Sequence, residues 1–311
     1  MATRTQTVGA VAFRARPRGL GYWLEREAVY SWIMLAPAVL FLLAFVAYPF
    51  AYGVVLSLED RVVGEQGTFV GFRNFVANLQ DPVFWQVARN TVVYTGTATI
   101  AKLIGGLGLA LVMNQQFKAK NGVRAALLLP WIVPTSLSTI AWMWIFDPTF
   151  SVVNWLLVHS GLVSIGPSWL GDANLAMLSI VIANVWRGLP FYAVTLLAAL
   201  QTIPGELYEA AAIDGATARQ RFISVTLPYL RAVLLITTMF SVIWTFSDFQ
   251  LVYVLTGGGP ANATHLFATY AYNIAMGAGQ LGQGASVALS MFPPLLLVIA
   301  ALTMYLRRSS N

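Results

Sequence analysis

The 311-residue chain has no cysteine and only two histidines, His159 and His265, more than a hundred residues apart. Disulfides, thiolate catalysis and Cys/His metal centres are thereby excluded. Charge is also scarce. Charged residues make up 10% and hydrophobic residues 58% of the chain, with a mean hydropathy of +0.70, whereas soluble domains carry about 25% charged and about 45–50% apolar residues. An ordinary soluble enzyme is ruled out. There is no G-x-x-x-x-G-K-[ST] loop to cradle ATP, no HExxH or GxSxG segment, no paired carboxylates, no repeat of 20–50 residues and no low-complexity tract. The formal charge of +6 does not indicate nucleic acid, because the cations fall in short clusters between apolar runs rather than along one face.

What the chain has in abundance is apolar length. About 20 apolar residues are needed to cross a bilayer, and six segments meet that length, about 32–58, 90–113, 125–146, 173–200, 228–255 and 285–306. The first holds 27 residues without a formal charge, too long for a secretory signal core of about 7–15 residues, so it is expected to be an uncleaved span. Arg4, Arg14, Arg16, Arg18, Arg26, Lys118, Lys120, Arg124, Arg219, Arg221, Arg231, Arg307 and Arg308 share one side of such a layout, and Arg61, Arg73 and Arg89 the other. The positive-inside rule then puts both termini in the cytoplasm. The reading is an all-α polytopic membrane protein with an arm over 1–30, a six-span domain over 31–306 and a tail over 307–311. Both histidines fall in outer connections and read as solvated loop residues, and Asn262-Ala263-Thr264 is a bare sequon that a bacterial origin would leave silent.

The connection 202–227 differs from the others. It runs from Ile203-Pro204-Gly205 through Glu206, Glu209 and an alanine run to Asp214-Gly215, which spells a short helix with proline at its start and glycine at its end. Its Glu209-Ala210-Ala211-Ala212-Ile213-Asp214-Gly215-Ala216, with Phe222 and Thr226-Leu227-Pro228, resembles the EAA loop of ABC-importer permeases. Leu129-Pro130-Trp131-Ile132-Val133-Pro134, Asp147-Pro148, Val153-Asn154-Trp155-Leu156, the Phe69–Phe75 segment and Leu255–Pro260 resemble the maltose-type sugar permeases, among which the trehalose importers look most similar. The resemblance covers roughly residues 30–306. It implies an ABC type I importer permease fold in a bacterial cell membrane, forming half of a pore with a homologous second permease. It also implies two copies of an ABC ATPase, an extracytoplasmic sugar-binding protein and a sugar cargo, a disaccharide such as trehalose or maltose. ATP and Mg would belong to the ATPase, leaving this chain without cofactor or catalytic residue. The coupling role implied for Glu209 is contact with a basic residue in an ATPase cleft. Ala210, Ala211 and Gly215 are small enough for close docking, and Asp214 adds a second charge.

Lys102, Arg187 and Asp248 fall inside apolar segments, where a charge costs at least about 2.5–3.5 kcal/mol. Lys102 reads as structural. Arg187 and Asp248 either pair with each other or face a polar cavity. The run Asn184-Val185-Trp186-Arg187-Gly188-Leu189-Pro190-Phe191-Tyr192 interrupts its span with polar and helix-weakening residues, and Ser241, Trp244, Thr245 and Asp248 share one helical face. Sugars stack apolar C–H faces on rings and hydrogen-bond through hydroxyls. Asn184, Arg187, Gly188, Phe191, Ser241, Trp244, Thr245 and Asp248 are therefore the candidate sugar contacts, and the resemblance points to the same two segments. Two alternatives are a glycerol-3-phosphate permease of the same class, with Arg187 drawing the phosphate, and a proton-coupled secondary transporter titrating Asp248. An intramembrane enzyme has no motif in its favour.

Overall fold

The computed structural model describes residues 27–310, so the five arginines of the N-terminal arm lie outside the described residues. The described residues form two compact units, divided between Gly53 and Val54. The first contains α1 (Glu27–Leu42), a π-helical turn (Leu43–Ala47) and the start of α2 (Tyr48–Ser57). The sequence suggested one domain over 31–306, but this helix stands as a unit of its own. It is apolar all round and offers no stripe to mark a packing face, and none of its side chains between 30 and 53 is buried. Such a surface requires an apolar covering.

The second unit is helical apart from a two-stranded ladder, β1 (Glu59–Asp60) against β2 (Thr68–Phe69). Its long helices are α4 (Pro82–Asn114), α8 (Ala173–Leu200), α11 (Leu227–Phe246) and, after the shorter α14 (Leu281–Ser290), α15 (Phe292–Ser310). The short α3 (Arg73–Gln80) precedes α4, and α7 (Val152–His159) lies in the connection before α8. Asp81 caps α4 by accepting from Val83 N at 2.9 Å, ahead of Pro82 in the first turn, and Asp172 caps α8 through Asn174 N and Leu175 N at 2.9 and 3.0 Å. The core pairs α4 with α8. A Cβ on Gly105 or Gly106 would run into Leu189 or Tyr192, so the glycines set how closely the helices approach. Ala110, Met113, Tyr192, Ala193, Leu196 and Leu230 fill the seam beside them.

Among the described residues five helices are long and apolar enough to span, and a sixth span is counted if one bent pair is taken together. That pair is α5 (Lys120–Ile132) and α6 (Thr135–Ile145), which meet at 97°, where the sequence led us to expect one span over 125–146. Val133 precedes Pro134 and is forced into extended backbone (φ −67°, ψ 129°), because the proline ring crowds a helical residue before it. The fifth span also differs. It runs from Ala218 to Phe246 rather than over 228–255. At its end the Asp248 carboxylate caps the next turn, Oδ1 accepting from Leu251 N at 3.4 Å, which offers the backbone an alternative to continuing the helix. The separate α12 (Gln250–Leu255) folds back, and Leu251, Val252 and Leu255 bury against Tyr94, Ile180 and Ala183. Conversely, α8 is unbroken through Gly188 and Pro190; the interruption expected there is one of polarity only.

His265 departs from its expected solvation. It is buried after α12, with Nδ1 3.2 Å from Thr269 Oγ1 on α13 (Phe267–Tyr272), and burial lowers its pKa. His159, at the end of α7, is exposed and stacks on Trp155.

Candidate functional site

Where α4, α8 and α11 meet the kink between α5 and α6, a cavity of about 270 Å³ opens, just below the roughly 300–1,000 Å³ of small-molecule sites. Lys102, Trp131, Val133, Thr135, Asn184, Arg187, Gly188, Phe191, Ser241, Trp244 and Thr245 line it. Seven of the eight candidate sugar contacts are thus brought together by structure, from two helices far apart in sequence. The eighth, Asp248, is not in the wall. It follows the end of α11 rather than continuing its stripe, and its side chain is 4% exposed behind the cavity.

There the carboxylate is occupied. Asp248 Oδ2 accepts from Tyr94 OH and Asn184 Nδ2, both at 2.9 Å, and lies 3.5 Å from Arg187 Nη2. Asn184 Oδ1 in turn accepts from Lys102 Nζ at 2.8 Å, and Thr245 Oγ1 accepts a second Lys102 proton at 2.7 Å. An ammonium can only donate and a carboxylate only accept, which fixes the amide of Asn184 in this orientation. Arg187 Nη1 donates to Thr135 Oγ1 at 3.0 Å, joining α8 to the first residue of α6. Both sequence alternatives for Arg187 hold at once: it pairs with Asp248 and it lines the cavity.

The apolar wall is three rings. Trp131 stacks on Phe191 at 5.4 Å between centroids, and Trp244 meets Phe191 and Trp131 edge-on at 5.1 and 6.0 Å. Sequence reasoning missed Trp131, Val133 and Thr135, although the Pro130 and Pro134 flanking that stretch were a signal for a kink that turns side chains inward. It also underrated Lys102, whose neighbours come from helices distant in sequence.

The second candidate region is α9 (Gly205–Ile213). Leu207 and Tyr208 hold it to the body, with Tyr208 OH 2.9 Å from Thr226 Oγ1. Glu209, Ala210, Asp214 and Gly215 are exposed, Ala211 is half-buried, and Ile213 is 87% exposed. The helix ends in a Schellman motif, with Ala216 N to Ala211 O at 2.9 Å and Gly215 N to Ala212 O at 3.0 Å. Gly215 has φ +78°, a conformation that side-chain-bearing residues resist. Thr217 then opens α10 (Ala218–Arg221) with a capping box to Gln220. The loop 202–227 therefore holds the short helix expected, followed by a tight turn that already starts the fifth span.

Spanning helices, a polar cavity among them and a short helix presented beyond their ends define a polytopic membrane transport component of the type I importer-permease fold. The same fold is found in a chain of a bacterial ABC transporter involved in the import of the acidic polysaccharide alginate, with TM-score 0.81 at 21% identity, covering 94% of this chain and 99% of that one. A second crystal structure of the bacterial alginate transporter, in complex with its alginate pentasaccharide-bound periplasmic protein, matches at TM-score 0.80 and 20% identity over 93% and 97% of the two chains. Residues 102–310 match the family described as the binding-protein-dependent transport system inner membrane component, and the chain belongs to it. It is thus a multi-pass cell-membrane permease subunit and not itself an enzyme. The trehalose/maltose transport system permease protein MalF of Thermococcus litoralis is 36% identical over 91% of this chain and 94% of its own length. The sulfoquinovosyl glycerol permease protein SmoG of Agrobacterium fabrum is 35% identical over 92% of each.

Proposed function

We propose that this chain forms half of the translocation pathway of an ATP-driven, binding-protein-dependent sugar importer, paired with a homologous second permease and carrying a disaccharide-sized cargo such as trehalose or maltose. The observation that carries the reading is the cavity, in which three rings face hydroxyl, amide and guanidinium groups across a space of small-ligand size. Rings stack on the C–H faces of a pyranose and the polar groups hydrogen-bond its hydroxyls. Asn184, Arg187, Gly188, Phe191, Ser241, Trp244 and Thr245 are the sugar contacts, and Asp248 acts through Asn184 and Arg187 rather than by touching sugar. The relatives that transport trehalose/maltose and sulfoquinovosyl glycerol support the substrate class.

The lever is α9. Two ATPase copies, holding the ATP and Mg, dock one on each permease. Glu209 and Asp214 supply charges for fixed pairing, and Ala210, Ala211 and Gly215 permit close approach. Both termini lie in the cytoplasm, on the ATPase side. ATP binding draws the coupling helices together and opens the pathway outward to the loaded binding protein; hydrolysis returns it inward. The test is reconstitution of the whole assembly in liposomes with a panel of sugars. Sugar uptake that requires ATP and fails in Glu209→Ala, while the binding protein still captures sugar, is the expected result. Uptake that persists without ATP and collapses with a proton uncoupler would remove the importer reading.

A further inference from the structure

The cavity wall is electrostatically one-sided. It contains two cationic side chains, Lys102 and Arg187, and no acidic one, because Asp248 is buried behind Asn184. Counting the three formal charges leaves an excess of one positive. Lys102 donates to two neutral oxygens, and the third ammonium proton has no acceptor among the described residues. Its charge therefore meets no carboxylate in contact. Arg187 Nη2 lies 3.5 Å from Asp248 Oδ2, longer than the roughly 2.7–2.9 Å of the charge-assisted bonds that neutralise a guanidinium well. The Arg187 side chain is 26% exposed and lines the cavity. Gly188 reinforces the arrangement, since a Cβ there would meet Lys102 Cδ at 2.5 Å; the absent side chain is what lets the lysine lie along α8. A buried excess cation is costly unless it gives up its proton or an anion matches it, and a neutral sugar supplies no such anion.

We infer that the cavity takes a monoanionic saccharide, one whose carboxylate or sulfonate sits between Lys102 and Arg187 while its ring stacks within Trp131, Phe191 and Trp244. This rests on the sugar-importer reading and keeps its cargo size, but replaces the neutral examples trehalose and maltose with an acidic saccharide. Asp248 sets the preference indirectly, by cancelling one of the two cations and leaving room for one negative charge rather than two.

The test is equilibrium binding of radiolabelled sugars to the complete assembly in nanodiscs, using matched pairs that differ only by CH₂OH against carboxylate: trehalose and its monouronate, cellobiose and cellobiouronate, methyl glucoside and methyl glucuronoside. For at least one pair the uronate is expected to bind roughly tenfold more tightly or better, with that advantage shrinking as salt is raised. Lys102→Met should abolish the advantage, weakening the uronate roughly tenfold more than its neutral partner, whatever loss the two members share. Asp248→Asn should move the uronate in the opposite direction, towards tighter binding. A merely structural network predicts instead that both variants weaken both members of a pair alike. Neutral sugars binding as well as or better than their uronates in the unmodified assembly, with no salt dependence, would overturn the anion preference and leave the sugar reading standing. Binding of no pair at all would take down both.

Discussion

Replacing Gly188 by alanine tests the geometry of the site through a single methyl group. The new Cβ would sit 2.5 Å from Lys102 Cδ and 3.5 Å from Cε and Nζ, and 2.5 Å is closer than carbon atoms pack. Either the α4–α8 seam opens, which the close approach at Gly105 and Gly106 resists, or the lysine swings away. Swinging breaks its bonds to Asn184 and Thr245. Hydrogen bonds of a charged donor are worth about 1.5–3 kcal/mol each, and cavity water restores part of that, so a net loss of about 2 kcal/mol is reasonable. To the extent that this loss is felt only with sugar bound, through mispositioned Asn184 and Thr245, it corresponds at 1.4 kcal/mol per decade to at most about a 30-fold loss of sugar affinity. The assay is a double-mutant cycle on the reconstituted assembly, comparing Gly188→Ala, Lys102→Ala and the pair, with sugar binding and sugar-stimulated ATP hydrolysis as readouts. If the clash with Lys102 is the mechanism, alanine at Gly188 costs little once Lys102 is truncated, and the coupling energy approaches the whole single-mutant effect. Equal costs in both backgrounds would refute the reasoning and place the role of Gly188 elsewhere.

Four further outcomes are expected. Gly215→Ala places a side chain at φ +78° and costs the coupling turn about 1–2 kcal/mol; sugar-stimulated ATP hydrolysis should fall while sugar capture by the binding protein is retained, and Gly215→Asn should be milder. Glu209→Gln alters an exposed side chain on α9, so the thermal midpoint of the isolated chain in detergent should hold while coupled hydrolysis is lost; a lowered midpoint would assign Glu209 to folding. Trp131→Ala and Trp244→Ala each remove a ring from the cage, and at about 0.5–1.5 kcal/mol per ring pair sugar affinity should drop about two- to twelvefold by calorimetry. His265 is held neutral by burial, with its pKa below the usual 6.5; the unfolded state binds the proton first, so this site's stability is present above about pH 6.5 and lost as pH falls below it. His265→Gln should flatten that part of a melting-temperature profile taken from pH 7.5 to 5.5.

The amino-acid order determined the class of molecule, because hydrocarbon tolerates only long apolar helices and their lengths can be counted along a chain. It also determined α9 and its ending, since proline, an alanine run and glycine act on neighbouring backbone within a few residues. The family followed from the same local motif. Two local effects were present in the sequence but passed over: the restriction Pro134 places on Val133, and the ability of Asp248 to cap its own backbone. What the sequence could not decide was which residues meet. Lys102, Asn184, Thr245 and Asp248 come from elements up to 146 residues apart, and their bonds exist only because Gly106 and Gly188 let α4 lie close along α8. Helical periodicity put Asp248 on the stripe with Ser241, Trp244 and Thr245, and the end of α11 at Phe246 took it off. A side chain's neighbours across a helix bundle depend on packing distances and kinks that no linear spacing encodes, and so the sign of the charge facing the cavity was left to the tertiary structure.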